Sequence, residues 1–101
     1  NAYLTPELRK TALGLSRSLQ HAAALVAQGV QKTDTIRREA EAILTDPDTQ
    51  IDYISICDPE SLVEIERIDA PALMALAVKV GNTRLIDNAI LQPASATSAS
   101  R

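Results

Sequence analysis

An almost unbroken apolar run, a two-residue turn and a returning segment constrain the fold of this chain more than any other feature. Residues 72–80 are nearly all apolar, and Gly81-Asn82 separates them from residues 83–90. The composition of the run would also suit a helix. It is short, however, and lies between Pro71 and Gly81, which favours a buried central strand. Glycine adopts a positive φ angle without strain, so Gly81-Asn82 predicts a tight hairpin whose returning strand covers residues 83–90.

The first quarter of the chain has helical periodicity. Residues 5–28 predict one long helix, because Thr5 can cap its start, Pro6 suits its first position and Gly29 suits its end. Apolar positions recur at helical spacing and form one stripe, which consists of Leu8, Ala12, Leu15, Leu19, Ala22 and Val26.

A second, shorter helix is predicted from Thr33 or Asp34 to about Leu44. Its apolar positions are expected to face one way and its charged positions to form a solvated side. The apolar positions are Ile36, Ala40, Ile43 and Leu44, and the charged ones are Arg37, Arg38, Glu39 and Glu41. Proline disfavours helix in the residue before it, so Asp46-Pro47-Asp48 is expected to end this element.

The pattern then changes to that of a strand. Residues 51–57 are rich in β-branched side chains, and Asp58-Pro59-Glu60 predicts a turn or the start of a short helical turn. We therefore expect an α+β domain in which two helices pack on a small antiparallel sheet of about three strands. Residues 1–91 are expected to form this domain, and the Ser/Ala-rich residues 92–101 a disordered tail or linker.

The composition excludes several classes of protein. A net charge of −3 and a pI near 5.0 argue against nucleic acid or an anionic membrane as the main partner. No apolar run approaches the ~20 residues of a membrane span. Cys57 is the single cysteine, so an internal disulfide is impossible, which fits a reducing compartment, and an inert, partly buried thiol is expected. The chain begins with Asn1 instead of Met, so we expect a piece or a processed form of a longer protein.

Side chains that could do chemistry are few. His21 is the only histidine and lacks the further ligands that a metal site needs, so a structural or surface role is favoured. The acidic pairs Asp46/Asp48 and Glu64/Glu66 have no convergent apolar surroundings that would raise a pKa, so turn and surface roles are favoured. The three glycines are scattered, which leaves no phosphate-binding loop.

Arg84 and Asp87 are candidates for either a structural or a ligand-binding role. Arg84 shares a predicted strand face with Ile86 and Asn88, which fits a solvent or edge role. It could equally pair across the sheet with a carboxylate such as Asp52. Structural pairing is favoured over ligand binding, because exposed charges on strands usually serve register and solubility.

Three short strings, in this order and spacing, resemble the C-terminal domain of the pantoate–β-alanine ligase (pantothenate synthetase) family. The first comprises Asn1, Tyr3-Leu4-Thr5, Glu7 and Arg9. The second comprises Ile51-Asp52-Tyr53, Asp58 and Leu62. The third comprises Ala77-Val78, Gly81 and Thr83-Arg84-Leu85-Ile86-Asp87-Asn88. Each string alone is weak, but together they are specific and cover residues 1 to about 91.

The resemblance implies an enzyme that joins D-pantoate to β-alanine with ATP, through a pantoyl-adenylate, and releases AMP and pyrophosphate. A larger Rossmann-type N-terminal domain with an HxGH-type motif would carry most substrate contacts, and the C-terminal domain would be a hinged lid. The full enzyme is expected to use ATP and Mg²⁺ as a cytoplasmic homodimer. The C-terminal piece by itself is expected to be monomeric, inactive and without a bound cofactor.

The resemblance gives this chain no catalytic residue and no metal ligand. Asn1 matches the end of the family's Ser-Ser-Arg-Asn string and is therefore expected beside the nucleotide site. Tyr3, Arg84, Asp87 and Asn88 are expected to be a structural signature.

Two alternatives stay open at this point. Some family members resemble fusions in which a cytidylate kinase follows the ligase, and the Ser/Ala-rich segment after Leu91 fits such a linker as well as an ordinary terminus. The rival to the ligase interpretation is a non-catalytic α+β protein-interaction module, whose alanine-rich first helix would dock a partner.

Overall fold

Two helices pack on one three-stranded antiparallel sheet in the computed structural model, which describes residues 5–93. The elements are α1 (Pro6–Ala27), α2 (Thr33–Leu44), β1 (Thr49–Cys57), β2 (Ala72–Val80) and β3 (Thr83–Leu91). The strand order is β1-β2-β3, so β2 is central. The predicted α+β class and the predicted central strand are both confirmed.

Helix α1 begins and ends as its sequence predicts. The Thr5 hydroxyl accepts a hydrogen bond from the Leu8 backbone N–H at 3.2 Å, which caps the first turn. Gly29 has a φ angle of +105°, the conformation that ends a helix and that side chains other than glycine rarely adopt. The C-terminal part of the predicted stripe, from Leu15 to Val26, is buried, whereas its first two members, Leu8 and Ala12, are only half-buried.

Helix α2 buries a narrower stripe than the sequence predicts. Ile36, Ala40 and Leu44 follow each other at four-residue spacing and all lie in the core. Ile43 is 38% exposed, so its predicted inward position is wrong. Adjacent residues on a helix point about 100° apart, and Leu44 already takes the inward direction.

The hairpin between β2 and β3 sets the register of the sheet. Val80 pairs with Thr83 across the two-residue loop. Gly81 has a φ angle of +61°, while no positive φ occurs at Asn82, and this combination is typical of a type II′ turn. Strand β1 begins at Thr49, slightly before the predicted start, and pairs with β2 as the third strand.

The two faces of the sheet differ in what covers them. The inner face, on which the helices pack, takes alternate residues of β2, namely Ala72, Met74, Leu76 and Val78, all buried. Their partners on the flanking strands complete the core with Ile51, Ile54, Ile56, Leu85, Ala89 and Leu91. The outer face takes the intervening residues, and no helix packs on it within residues 5–93.

The loop between β1 and β2 is tied to the connection between the helices. The Thr33 hydroxyl donates to the Ile65 carbonyl at 2.8 Å, and the Ile68 N–H donates to the Gln31 carbonyl at 2.9 Å. Ile68 is fully buried as a result. Among the residues from 5 to 93, no helix has the length and apolar character needed to cross a lipid bilayer.

Candidate functional site

The signature residues of the third string do not converge on one point. Arg84 and Asn88 lie on the outer face of β3, and Asp87 lies on its inner side. Asp87 borders a shallow hollow against Ser16 and Gln20 of α1. Its carboxylate accepts the Asn88 backbone N–H at 2.8 Å. Asn1 and Tyr3, the other two candidates, lie outside the described residues.

Arg84 forms a small cluster on the outer face. Its Nε donates to Asp52 Oδ2 at 2.9 Å, which confirms the predicted pairing across the sheet. Its guanidinium carbon lies 5.8 Å from the centre of the Tyr53 ring, within the range of a cation–π contact. The side chain therefore spans from β3 over the central strand to β1.

A β-bulge in β1 makes this cluster possible. The register shifts between Ile51 and Tyr53, so that Asp52 is an extra residue without a partner on β2. A bulge re-aims side chains locally, and here Asp52 and Tyr53 both reach Arg84. Partial alternation within residues 51–57 was the only sequence signal for the bulge, and the contact with the Tyr53 ring had no signal at all.

Apolar residues form two rows across the three strands of the outer face, and the row between them, Ser55, Ala75 and Asn88, has polar ends. One row is Tyr53, Ala77 and Ile86, and another is Cys57, Leu73 and Ile90. Tyr53 is 40%, Ile86 57% and Ile90 46% exposed. These are three of the large apolar side chains that the described part of the chain leaves in solvent.

An ion-pair network joins α2 to the loop after β1. Arg37 donates from Nη2 to Glu64 Oε1 at 2.6 Å and from Nε to the Ile54 carbonyl at 3.2 Å. The Ser55 hydroxyl donates to Glu64 Oε2 at 2.6 Å. The prediction that Arg37 belongs to the solvated side of α2 is therefore wrong, since β1 offers its long side chain a carbonyl and the loop after β1 offers it a carboxylate. Arg38 does lie on the solvated side, where it pairs with Asp34.

Beside this network lies an open cleft of about 650 Å³. Its lining carries charges of both signs, from Lys32, Asp34, Arg37, Glu64, Glu66 and Arg67. Arg37 is held by Glu64, and Arg67 donates to the Gln31 side chain. The cleft is thus bounded by side chains that serve to tie the loop down.

A second groove, of about 400 Å³, lies where the described chain begins. It is lined by Thr5, Glu7, Leu8, Asp48, Val80, Gly81 and Thr83. Its ionisable lining groups, Glu7 and Asp48, are both carboxylates. These carboxylates oppose the binding of nucleotide phosphates, which cations and backbone N–H groups bind.

The remaining candidates also have structural surroundings. His21 Nε2 lies 2.9 Å from Glu39 Oε1 between the two helices, both side chains being largely solvated. Cys57 is a buried free thiol. Asp58 follows β1, and the N–H groups of Ser61 and Glu60 that donate to its carboxylate hold the pKa of Asp58 below its ordinary value.

Within the described range 5–93, no group of three or more His, Cys, Asp or Glu side chains is placed to hold a metal ion. The arrangement provides a partly apolar outer face and a set of hydrogen bonds and ion pairs that hold the fold together.

Comparison with known proteins gives one consistent result. The family model described as pantoate-beta-alanine ligase matches residues 1–90. The pantothenate synthetase of Desulfatibacillum aliphaticivorans is 51% identical over 94 residues, which are 92% of this chain and 34% of the relative. That of Syntrophobacter fumaroxidans is 48% identical over 96 residues, with coverage of 94% and 34%.

A solved structure matches in the same way. The crystal structure of pantothenate synthetase from Thermus thermophilus superposes with a TM-score of 0.81 at 34% identity, covering 92% of this chain and 34% of that one. The chain therefore spans about a third of the length of the relatives it matches.

Proposed function

This chain belongs to the pantoate–β-alanine ligase family, and from that premise we propose that it is the C-terminal lid domain of a pantothenate synthetase. The observation that carries the proposal is the family match over residues 1–90 together with the shared fold of the Thermus thermophilus enzyme. The same match favours the ligase over a free-standing interaction module.

The full enzyme would condense D-pantoate with β-alanine in two steps. The pantoate carboxylate attacks the α-phosphate of ATP and releases pyrophosphate, and the β-alanine amine then displaces AMP from the pantoyl-adenylate to form the amide. ATP and Mg²⁺ would be bound by the full enzyme, as a homodimer in the cytoplasm. We assign none of these steps to residues of this chain, because the resemblance to the family gives it no catalytic residue and no metal ligand.

The role left to this domain is closure over the reacting groups. An acyl-adenylate hydrolyses readily, so a lid that excludes water protects it until the amine attacks. A domain with a well-packed core on one side of its sheet can move as a rigid body, which a lid requires. The Rossmann-type N-terminal domain of the same enzyme is the proposed partner.

The division of the chain follows from this role. We propose that residues 1–91 are the lid domain and that residues 92–101 are a tail or a linker, which a cytidylate kinase would follow if the protein is a fusion. Pro93, the last residue described, is buried, and residues 94–101 of the predicted disordered tail or linker lie outside the described residues. Asn1 would lie beside the nucleotide, whereas Tyr3, Arg84, Asp87 and Asn88 would be structural.

The test is a chimera. This chain replaces the matched third of the Desulfatibacillum aliphaticivorans enzyme, and pantothenate and AMP formation are measured with pantoate, β-alanine, ATP and Mg²⁺. We expect turnover that the same enzyme lacks when its matched third is deleted. A folded chimera no more active than that deleted form would refute the proposal.

A second measurement checks where the nucleotide binds. The 101-residue chain is titrated with ATP and followed by NMR chemical shifts. We expect no saturable binding, because the groove at the start of the described chain is lined by carboxylates. Tight, saturable binding to the isolated chain would contradict a phosphate site in the N-terminal domain.

A further inference from the structure

Strand β2 has the composition of a strand that is covered on both sides. Antiparallel strands with one solvated face alternate apolar and polar residues, whereas strands buried on both faces are almost continuously apolar. Strand β2 reads Ala-Leu-Met-Ala-Leu-Ala-Val-Lys-Val. The helices cover only its inner residues, so the composition of its outer residues implies a second covering layer.

The outer face forms a shallow trough on which another element of secondary structure can pack. Its centre consists of the small residues Ala75 and Ala77 of β2. Tyr53 on β1 and Ile86 and Ile90 on β3 form its apolar sides, and the polar Ser55 and Asn88 flank Ala75. Adjacent strands are ~4.8 Å apart, so these sides stand ~10 Å from each other across the central strand. Ala77 is 0% exposed although no helix packs on it, because its larger neighbours on either strand enclose it.

One end of this trough is charged. Lys79 of β2 pairs with Arg84 of β3 and with Gln50 of β1 in the outer-face row nearest the hairpin. The hairpin also borders Thr5 at the start of α1, where the preceding chain must enter. The apolar trough therefore begins at the end of the domain that is joined to the rest of the protein.

We propose that the outer face, defined by Tyr53, Ala75, Ala77, Ile86 and Ile90, is the surface on which the N-terminal domain of the same enzyme docks. The inference rests on the proposed function. The relatives contain about two thirds of their length beyond the matched part. A tethered domain has an effective concentration in the millimolar range, which favours it over a second copy of this chain.

The mixed character of the face fits a contact that opens and closes. Interfaces between domains of one chain bury about 600–1,500 Å² and are more polar than permanent ones. An apolar centre flanked by the Arg84–Asp52 pair and Lys79 provides attraction without permanent burial of charge.

Hydroxyl-radical footprinting tests the surface without relying on activity. Labelling of Tyr53 and Ile86 is compared between the isolated chain and the chimera described above, with pantoate and ATP present. Leu13, which is 54% exposed on α1, is the internal control. We expect at least about threefold protection of Tyr53 and Ile86 in the chimera, the scale of a side chain passing from half-exposed to buried, and equal labelling of Leu13.

Matched substitutions add a functional readout. Ile86→Glu in the chimera should lower kcat/KM by about tenfold, equivalent to about 1.4 kcal/mol, whereas Leu13→Glu should leave it unchanged. Both variants place a carboxylate on a residue exposed to a similar extent, on different sides of the domain. Unfolding of the isolated chain should be equally little affected by both.

The possible failures are distinguishable. An active chimera in which Tyr53 and Ile86 are labelled as in the isolated chain would overturn the docking face and leave the ligase proposal standing. Protection without activity would support the face and count against the ligase proposal. If Tyr53 and Ile86 of the isolated chain become more protected from labelling as the protein concentration rises, a second copy of the chain covers the face. That result would overturn the inference.

Discussion

Leu91 and Ile90 are neighbours on β3, yet Leu91 is fully buried and nearly half of Ile90 is exposed. A similar contrast separates the inner and outer faces of the sheet, although Ala77 and Cys57 of the outer face are also buried. The inner face contacts two helices and includes the large side chains of Met74 and Leu76, whereas the outer face has apolar residues and no covering element within residues 5–93. Both faces thus carry large apolar side chains, but only those of the inner face are covered, and the outer face adds charged and polar residues.

This difference shows that burial in the isolated domain and hydrophobicity of the sequence need not coincide. An isolated α+β domain would be expected to place polar residues on its solvated face. Tyr53, Ile86 and Ile90 break that expectation, and exposed apolar patches of this kind mark interaction surfaces. The inner face stabilises the fold, and the outer face is available for an interaction.

The largest effect is expected on the inner face. Leu76→Ala removes a fully buried side chain and should lower the free energy of unfolding by about 2–5 kcal/mol. Ile86→Ala on the outer face should cost less than about 1 kcal/mol, since its side chain is largely solvated already. Urea unfolding of the isolated chain, followed by circular dichroism, measures both.

Equal losses in the free energy of unfolding for Leu76→Ala and Ile86→Ala would contradict the distinction between the two faces. If Leu76→Ala does not fold, Ile56→Val removes a single methyl group from the same inner face. It should cost about 0.5–1.5 kcal/mol, and more than the matched Ile86→Val on the outer face.

The hairpin turn between β2 and β3 sets the register of the sheet and should have the next largest effect on stability. Gly81 has a φ angle of +61°, so Gly81→Ala should destabilise the chain by roughly 1–2 kcal/mol despite the free space around the added methyl group. Gly14→Ala in α1 is the control, because there the methyl group meets Leu44 at an ordinary 3.9 Å. That change should stabilise by about 0.5–1 kcal/mol. If the midpoint of thermal unfolding shifted in the same direction for Gly81→Ala and Gly14→Ala, the assigned turn would be contradicted.

The ionic contact on the outer face should contribute less. A double-mutant cycle with Arg84→Ala and Asp52→Ala should give a coupling energy of about 0.2–1 kcal/mol, because both side chains remain partly exposed to solvent. The coupling should shrink between about 0.05 and about 0.5 M salt as screening increases. A larger, salt-independent coupling would show that this face is better shielded than its exposure indicates.

The smallest effect concerns Asp58, which lies on neither face. Its lowered pKa means that the ionised carboxylate stabilises the fold above the ordinary aspartate pKa near pH 4, and that this contribution is lost as the pH falls through the lowered value. NMR titration of the carboxyl carbon should give a midpoint below that of a free aspartate. A midpoint at or above the free value would show that the Glu60 and Ser61 N–H groups do not hold the carboxylate.

Local signals predicted most of the elements. Thr5, Gly29 and the Gly81-Asn82 turn act through their own backbone and capping preferences, and each occupies the place that the sequence assigns to it. The Arg84–Asp52 pair could also be predicted from the sequence, because the alternation of side chains along a strand places Arg84 on a defined face of the sheet. Ile43 and Arg37 were misplaced, since periodicity alone does not say how wide a buried stripe is or which strand atoms an arginine can reach.

The sequence by itself determined the helices, the hairpin, the α+β class and the resemblance to the ligase family, because these depend on periodicity, turn chemistry and ordered strings of residues. Tertiary structure alone decided that the helices cover only one face of the sheet, that the bulge at Asp52 brings Tyr53 beneath Arg84, and that Ile86 and Ile90 remain in solvent. The physical reason is that hydrophobicity is a property of each residue, whereas burial depends on which surfaces the packed elements leave uncovered.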